Sequence, residues 1–300
     1  MDETQAMPLD TRVGQAVSEL MRDGYCILAD VVPKDLIDGL NAGLDGRFAK
    51  TPFCDGDFYG RRTKRFGSLL RHSPRAPQLV MQPLVLRIAE QLLAPWCDRI
   101  RLNLTQAIEI HPGALAQYPH RDQDMWQGPK GEIEYLLNVI WPLSPFTAAN
   151  GATVLWPHSH GAKFATMPDG PGVAVEMKPG SALLFLGSTL HGGGENISQT
   201  VRRGVIVSYC LGWLRSFENQ FLAYPPEVAR HFDSKLAALV GYAQHRPNLG
   251  NIEGQCPSIL LKSGSLDGLA ATDALRGDQA EALADHVATQ EAARADLLGE

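Results

Sequence analysis

Long apolar runs are missing from this 300-residue chain, and no stretch approaches the ~18 consecutive apolar residues that a membrane span requires. Basic runs are missing too. Charged residues make up 20% and the formal net charge is −6, so nucleic-acid binding finds no support and no membrane partner is expected. Cysteine is scarce. Cys26, Cys54, Cys97, Cys210 and Cys256 are odd in number and scattered, with no CxxC pair, which excludes a disulfide framework or a zinc ribbon. The first ten residues are polar and acidic and lack the apolar core of a signal peptide; with the dispersed thiols, this places the chain in the cytoplasm. There are no internal repeats.

Hydrophobic residues make up 44%, enough for a sizeable core, and the length suits one large domain. Apolar periodicity predicts a helix from Val13 to Arg22, a second opened by Pro33 and running through Leu36, Ile37, Leu40 and Leu44, and a third over Leu84–Leu93. Residues 51–67 mix Gly and Arg with Phe53, Phe58, Tyr59 and Phe66 and show no period. They read as an ordered surface loop, either plain or covering a site. From Arg101 to His111, Leu102, Leu104, Gln106, Ile108 and Ile110 face one way and Asn103, Thr105, Ala107 and Glu109 the other, as in a strand with one sealed face. Further apolar strands at even spacing, near 135–141, 152–156, 173–177, 182–186 and 201–211, are punctuated by Asn150-Gly151, Asp169-Gly170 and Pro179-Gly180. That pattern predicts a β-sandwich or barrel. Helix resumes over Val228–Tyr242. The domain is expected to occupy residues 1–264, and the Ala- and acid-rich residues 265–300 to form an exposed helical or partly disordered tail.

The chemistry centres on Gln117-Tyr118-Pro119-His120-Arg121-Asp122 and on His191-Gly192-Gly193-Gly194. On a strand, residues two apart share a face, so His120 and Asp122 can grip one ion. His191 would complete a two-histidine, one-carboxylate set with open positions, the arrangement of non-heme Fe(II) oxygenases. Alone, H-x-D is a weak signal; with a glycine-flanked histidine and an arginine about ten residues further on, it becomes specific. His158 and His160 form a rival pair, but with no third ligand evident they read as structural. By alternation only one of Arg202 and Arg203 can point into a barrel, where a buried guanidinium needs an anionic partner. That partner is either a protein carboxylate or the carboxylate of a co-substrate.

With these motifs, the chain resembles the phytanoyl-CoA dioxygenase family of Fe(II)/2-oxoglutarate oxygenases. It is most similar to the branch that modifies fungal alkaloids and meroterpenoids, together with related bacterial enzymes. The similarity runs from about Gly24 to Tyr242 and includes Thr63-Lys64-Arg65, Ala116-Gln117, Asn150-Gly151-Ala152-Thr153, Pro157-His158-Ser159-His160 and Leu211-Gly212-Trp213-Leu214-Arg215. The family usually has Pro-Gly-Ser-His where this chain has Pro157-His158-Ser159-His160, a change in a turn. The resemblance implies a double-stranded β-helix, a jelly-roll or cupin-like barrel, mainly β with flanking helices. It implies that His120, Asp122 and His191 bind Fe(II), and that Arg202, with Arg203 as the alternative, holds the distal carboxylate of 2-oxoglutarate. Gln117 and Thr153 would hydrogen-bond that co-substrate, O2 would be the oxidant, and the protein would be a homodimer. No catalytic residue beyond the metal ligands is implied.

For the substrate, Phe66, Trp126, Tyr209 and Phe217 would form an apolar wall, with core packing as the alternative, especially for Tyr209. The loop from Phe53 to Leu70 would act as a lid. The negative charge argues against a strongly anionic substrate, although Arg61, Arg62, Lys64 and Arg65 supply a local basic patch. The expectation is a dioxygenase that oxidises a neutral specialised metabolite by hydroxylation, desaturation or rearrangement, releasing succinate and carbon dioxide. The rival readings are a metal-dependent isomerase or hydrolase on the same barrel and a non-catalytic ligand-binding protein.

Overall fold

The computed structural model describes residues 7–164, 166–262 and 265–298. Helix α1 (Leu9–Asp23) buries Val13, Ala16 and Leu20 along one stripe and ends at Gly24, whose φ of 87° lets its N–H turn back to the Leu20 carbonyl. Helix α2 (Lys34–Lys50) buries Leu36, Ile37, Leu40, Leu44 and Phe48. Helix α3 (Pro83–Leu93) is capped by the Gln82 side chain, which accepts from Val85 N–H, and it buries six of its eleven residues.

Among the described residues there are nine strands: β1 (Tyr25–Leu28), β2 (Thr63–Phe66), β3 (Ile100–Ile110), β4 (Leu136–Pro142), β5 (Thr153–Leu155), β6 (Val173–Ala174), β7 (Ala182–Leu186), β8 (His191–Gly193) and β9 (Arg202–Leu211). They form two antiparallel sheets, one of six strands in the order β1-β7-β4-β9-β3-β2 and one of three in the order β6-β5-β8. The architecture is a jelly roll with flanking helices. One face of the large sheet packs on the helices; the other faces the small sheet. Strand β7 is buried throughout because it serves both sides: Ala182, Leu184 and Leu186 join the helix-side core, while Leu183 and Phe185 join the core between the sheets with Phe146, Leu155 and Val175.

Local structure departs from the alternating pattern in three places. In β3 the pairing with β9 shifts between Leu102 and Leu104, leaving Asn103 as a bulge. Leu102 therefore turns to the helix-side core instead of sharing a face with Leu104. Residues 63–66 are not loop but edge strand β2, paired with residues 107–110 of β3. His120 and Asp122 do not lie on a strand: His120 makes an isolated bridge with His191, and Asp122 opens a 3-10 helix, Asp122–Met125. Beyond β9, the helical reading of 228–242 breaks into short helices at Pro226–Ala229 and Ser234–Leu239. In the tail, Gly277–Leu298 is helical and exposed along nearly all its described length.

Candidate active site

The metal-ligand candidates meet through backbone pairing. His120 N–H donates to the His191 carbonyl at 2.9 Å and His191 N–H to the His120 carbonyl at 3.0 Å, so the two ring centroids stand 4.4 Å apart. Arg121 is extended, with φ −119° and ψ 125°, which keeps His120 and Asp122 on one side even without a strand. His120 Nε2 lies 3.5 Å from Asp122 Oδ1, and His191 Nε2 lies 3.6 Å from Asp122 Oδ2. Ligand atoms of all three fall within 4.8 Å of one another, the one such cluster among the described residues.

Both imidazoles are oriented by carbonyls. His120 Nδ1 contacts Tyr118 O at 2.9 Å and His191 Nδ1 contacts Thr189 O at 3.0 Å. A carbonyl only accepts, so each Nδ1 carries the proton and each Nε2 presents a lone pair to the cluster. Burial works to raise the pKa of Asp122, but His191, His120 and the Asn138 amide outweigh it and bring the carboxyl down to about 2. Burial, partly offset by Asp122, lowers His191 to about 4. Burial also acts to lower His120, but the adjoining Asp122 carboxylate outweighs it and raises that imidazole above its ordinary value. An anionic oxygen and two tautomer-fixed imidazoles are a donor set suited to a divalent first-row metal.

Arg121, between the two ligands, points away from them. Its guanidinium donates to Ser188 O at 3.0 Å and to Ser159 O and Thr166 O at 3.2 Å each. It thereby ties the 120–122 segment to the residues just before His191. The glycines after His191 allow a close approach: a Cβ on Gly194 would stand 2.6 Å from Ala152 O, and one on Gly192 would stand 3.0 Å from Gln117 O.

The cluster opens on a cleft of about 850 Å³, mouth included, between the two sheets. Arg202 and Thr153 line it together: Arg202 Nη2 donates to Thr153 Oγ1 at 3.3 Å, and the guanidinium carbon lies 3.6 Å over the Phe146 ring. Only 4% of Arg202 is exposed, its Nε has no partner among the described residues, and burial followed by the nearby Arg65 cation lowers its pKa to about 9. Arg203 faces the other way and is held by Glu109 at 2.7 Å, by Asn41 at 3.1 Å and by Asp45. Gln117 also lines the cleft; its Oε1 accepts from Gly193 N–H at 3.2 Å, which leaves its amide hydrogens to donate.

Of the four aromatics expected to form a wall, only Phe217 lines the cleft. Phe66 is buried against Phe48, ring centroids 4.8 Å apart, because strand β2 turns Phe66 to the helix side. Tyr209 is fully buried and donates its hydroxyl to Val80 O at 2.7 Å. Trp126 packs against Tyr135 and donates to Arg215 O at 2.9 Å. His158 and His160 stand outside the site and bond the carbonyls of Arg22 and Met21 at the end of α1.

Phe58, Tyr59 and Arg65, from the segment expected to cover a site, line the cleft, and so do Gln106 and Met125, which were not expected there. Arg65 carries a buried Nε with no partner among the described residues, its pKa is lowered by burial, and its Nη1 reaches Gln106 Oε1 at 3.4 Å. Recognising 63–66 as a strand would have found it, since Arg65 pairs with Ile108 on the cleft face of β3. Phe58 stands edge-on to His120 at 4.9 Å, so the 51–67 segment does reach the site.

Residues 20–204 match the family model described as phytanoyl-CoA dioxygenase (PhyH). The dioxygenase trt7 of Aspergillus terreus is 34% identical over 206 residues, covering 65% of this chain and 72% of that protein. The dioxygenase swnH1 of Metarhizium robertsii is 30% identical over 276 residues, covering 84% of this chain and 90% of its own. Among solved structures, the epimerase SnoN from nogalamycin biosynthesis, in complex with Fe3+, alpha-ketoglutarate and nogalamycin RO, shares the fold with a TM-score of 0.56 at 16% identity, over 90% of this chain and 97% of its own. HygX from Streptomyces hygroscopicus, with nickel, 2-oxoglutarate and hygromycin B bound, shares it with a TM-score of 0.55 at 14% identity, over 68% of this chain and 89% of its own.

Proposed function

The chain belongs to the phytanoyl-CoA dioxygenase family and is an Fe(II)- and 2-oxoglutarate-dependent dioxygenase of small molecules, and we propose which of its residues carry that activity. His120, Asp122 and His191 hold the iron. Their donor chemistry fits it: two imidazole lone pairs and one carboxylate, leaving positions for co-substrate and O2. Bound iron supplies the oxidising chemistry, in which O2 and 2-oxoglutarate yield succinate, carbon dioxide and an oxidised substrate.

Arg202 carries the reading of the co-substrate site. Among the described residues it is a buried cation without a carboxylate partner, in the same cleft as the cluster, and an unpaired charge is costly to desolvate. The distal carboxylate of 2-oxoglutarate satisfies it, with Thr153 orienting the fork by the bond already present. Gln117 donates its free amide hydrogens to the co-substrate, and Arg65 offers a second cation to a dianion. A metal-dependent hydrolase or isomerase that works without 2-oxoglutarate has no use for these paired features.

The outer cleft is walled by Phe58, Tyr59, Met125 and Phe217. Once 2-oxoglutarate neutralises the two arginines, this wall favours an uncharged, largely apolar specialised metabolite, and Phe58 beside His120 orders its approach. The exposed helix Gly277–Leu298 supports an appended tail after a domain ending near residue 264. The five free cysteines support a cytoplasmic location, and among the described residues no helix is long and apolar enough to cross a membrane. Family likeness supports a homodimer, which light scattering would check by a mass twice that of the chain.

The deciding experiment adds 2-oxoglutarate anaerobically to the Fe(II)-loaded protein, then admits O2 and measures succinate. A new visible absorption band followed by iron-dependent succinate is the expected result; neither band nor succinate would rule the assignment out.

A further inference from the structure

We infer that Asn138 is a positioning residue that holds Asp122 to a single metal-facing oxygen; this rests on the reading of His120, Asp122 and His191 as iron ligands. Asn138 lies on β4, fully buried, between Ser208 of β9 and Phe185 of β7 in the sheet register. Its neighbours Leu137 and Val139 turn to the helix-side core, so Asn138 faces the cleft side of the large sheet. Its Nδ2 donates to Asp122 Oδ2 at 2.9 Å. The amide orientation is dictated chemically, because the reverse placement would set two acceptors against each other. The other end of the amide, Oδ1, is buried with no partner among the described residues.

A residue serving packing alone would not carry that orphan carbonyl; leucine has nearly the same size and no polar atom to strand. The amide is therefore explained by what it does to Asp122. The two carboxylate oxygens stand towards different histidines, Oδ1 towards His120 and Oδ2 towards His191. Free to rotate, such a carboxylate can close on an ion with both oxygens and consume a position that the co-substrate or O2 needs. The N–H bond to Oδ2 engages one oxygen and stops the rotation, so the cluster keeps its open positions.

The test uses the metal-free full-length protein and Co(II) as a spectroscopic probe. Asn138→Leu removes the donor at constant size, and Asn138→Ser shortens it beyond reach should the leucine variant not fold. The expected result is Co(II) binding weakened by roughly 10–100-fold, with a changed visible ligand-field spectrum. The leucine variant loses the stranded carbonyl but also the donor to Asp122 Oδ2, so its thermal unfolding is measured only to confirm that it folds. Co(II) affinity and spectrum equal to wild type in a folded variant would overturn the inference alone. No Co(II) binding by the unaltered chain would overturn the metal reading and the inference with it.

Discussion

Arg202 and Arg203 are neighbours in the chain and opposites in environment: one lies 3.6 Å over the Phe146 ring in the cleft with no carboxylate among the described residues to meet it, the other is bound to Glu109 at 2.7 Å on the far face of the same strand. The β3 register sets the difference, pairing Arg202 with Ile110 and Arg203 with Glu109.

Substituting the two should separate binding from stability. Arg202→Ala is expected to raise the KM for 2-oxoglutarate by at least tenfold, since truncating one partner of a buried charge pair costs about 2–5 kcal/mol. Arg203→Ala should lower the unfolding midpoint and leave that KM within about twofold of wild type, since its half-buried ion pair touches only the protein. Steady-state kinetics with 2-oxoglutarate as the varied substrate, run beside thermal unfolding, decides it; the reverse ranking would exchange the two roles.

Metal should stabilise the fold through the triad alone. Adding Fe(II) anaerobically to the metal-free protein is expected to raise its unfolding midpoint, because the ion binds only the native cluster. His120→Ala, Asp122→Ala and His191→Ala should each remove that rise together with succinate formation. The affinity should also depend on pH. Burial acts to lower the pKa of His120, but Asp122 raises it above the ordinary imidazole value, so a proton competes with the ion there first. Below that raised pKa, affinity should drop by about tenfold per pH unit, and above it level off. A pH-independent metal affinity between pH 6 and 8 would argue against His120 as a ligand.

The aromatic residues should divide by location. Phe66→Ala leaves a hole beside Phe48 in the helix-side core and should cost about 3–5 kcal/mol of stability. Phe58→Ala and Phe217→Ala, both at half-exposed cleft positions, should leave unfolding almost unchanged. Their effect should appear as a changed product ratio, or as succinate formed without matching substrate oxidation. Measuring both products in each variant tests this, and unchanged coupling in the two cleft variants would place the substrate elsewhere.

Arg121 offers a fourth test. Arg121→Met strips the buried Ser188 and Ser159 carbonyls and the more exposed Thr166 carbonyl of their donor, and each buried acceptor left unsatisfied costs on the order of 1–3 kcal/mol. Denaturant unfolding should register the loss. Metal affinity should fall as well, because the 120–122 segment loses its tie to the residues preceding His191. Affinity equal to wild type in the folded variant would confine Arg121 to a role in stability.

By itself the sequence determined the class of fold and the kind of site. Apolar alternation and turn residues at even spacing marked out the antiparallel strands, because side chains on a strand must alternate between two faces, and helical stripes such as Leu36, Ile37, Leu40 and Leu44 marked the covering layer. His120, Asp122 and His191 stood out by spacing and by the glycines beside them, which only a close backbone approach requires. Tertiary structure decided which neighbour faces which layer. One bulge at Asn103 reversed Leu102, and one edge strand turned Phe66 into the core and Arg65 into the cleft. Orientation across a sheet has a period of two, so a one-residue shift exchanges the faces, and the pairing partner that sets the register lies far away in the chain. The bond from Asn138 to Asp122 was invisible for the same reason: an asparagine within an apolar strand has no signature until the fold brings a carboxylate to within 2.9 Å of it.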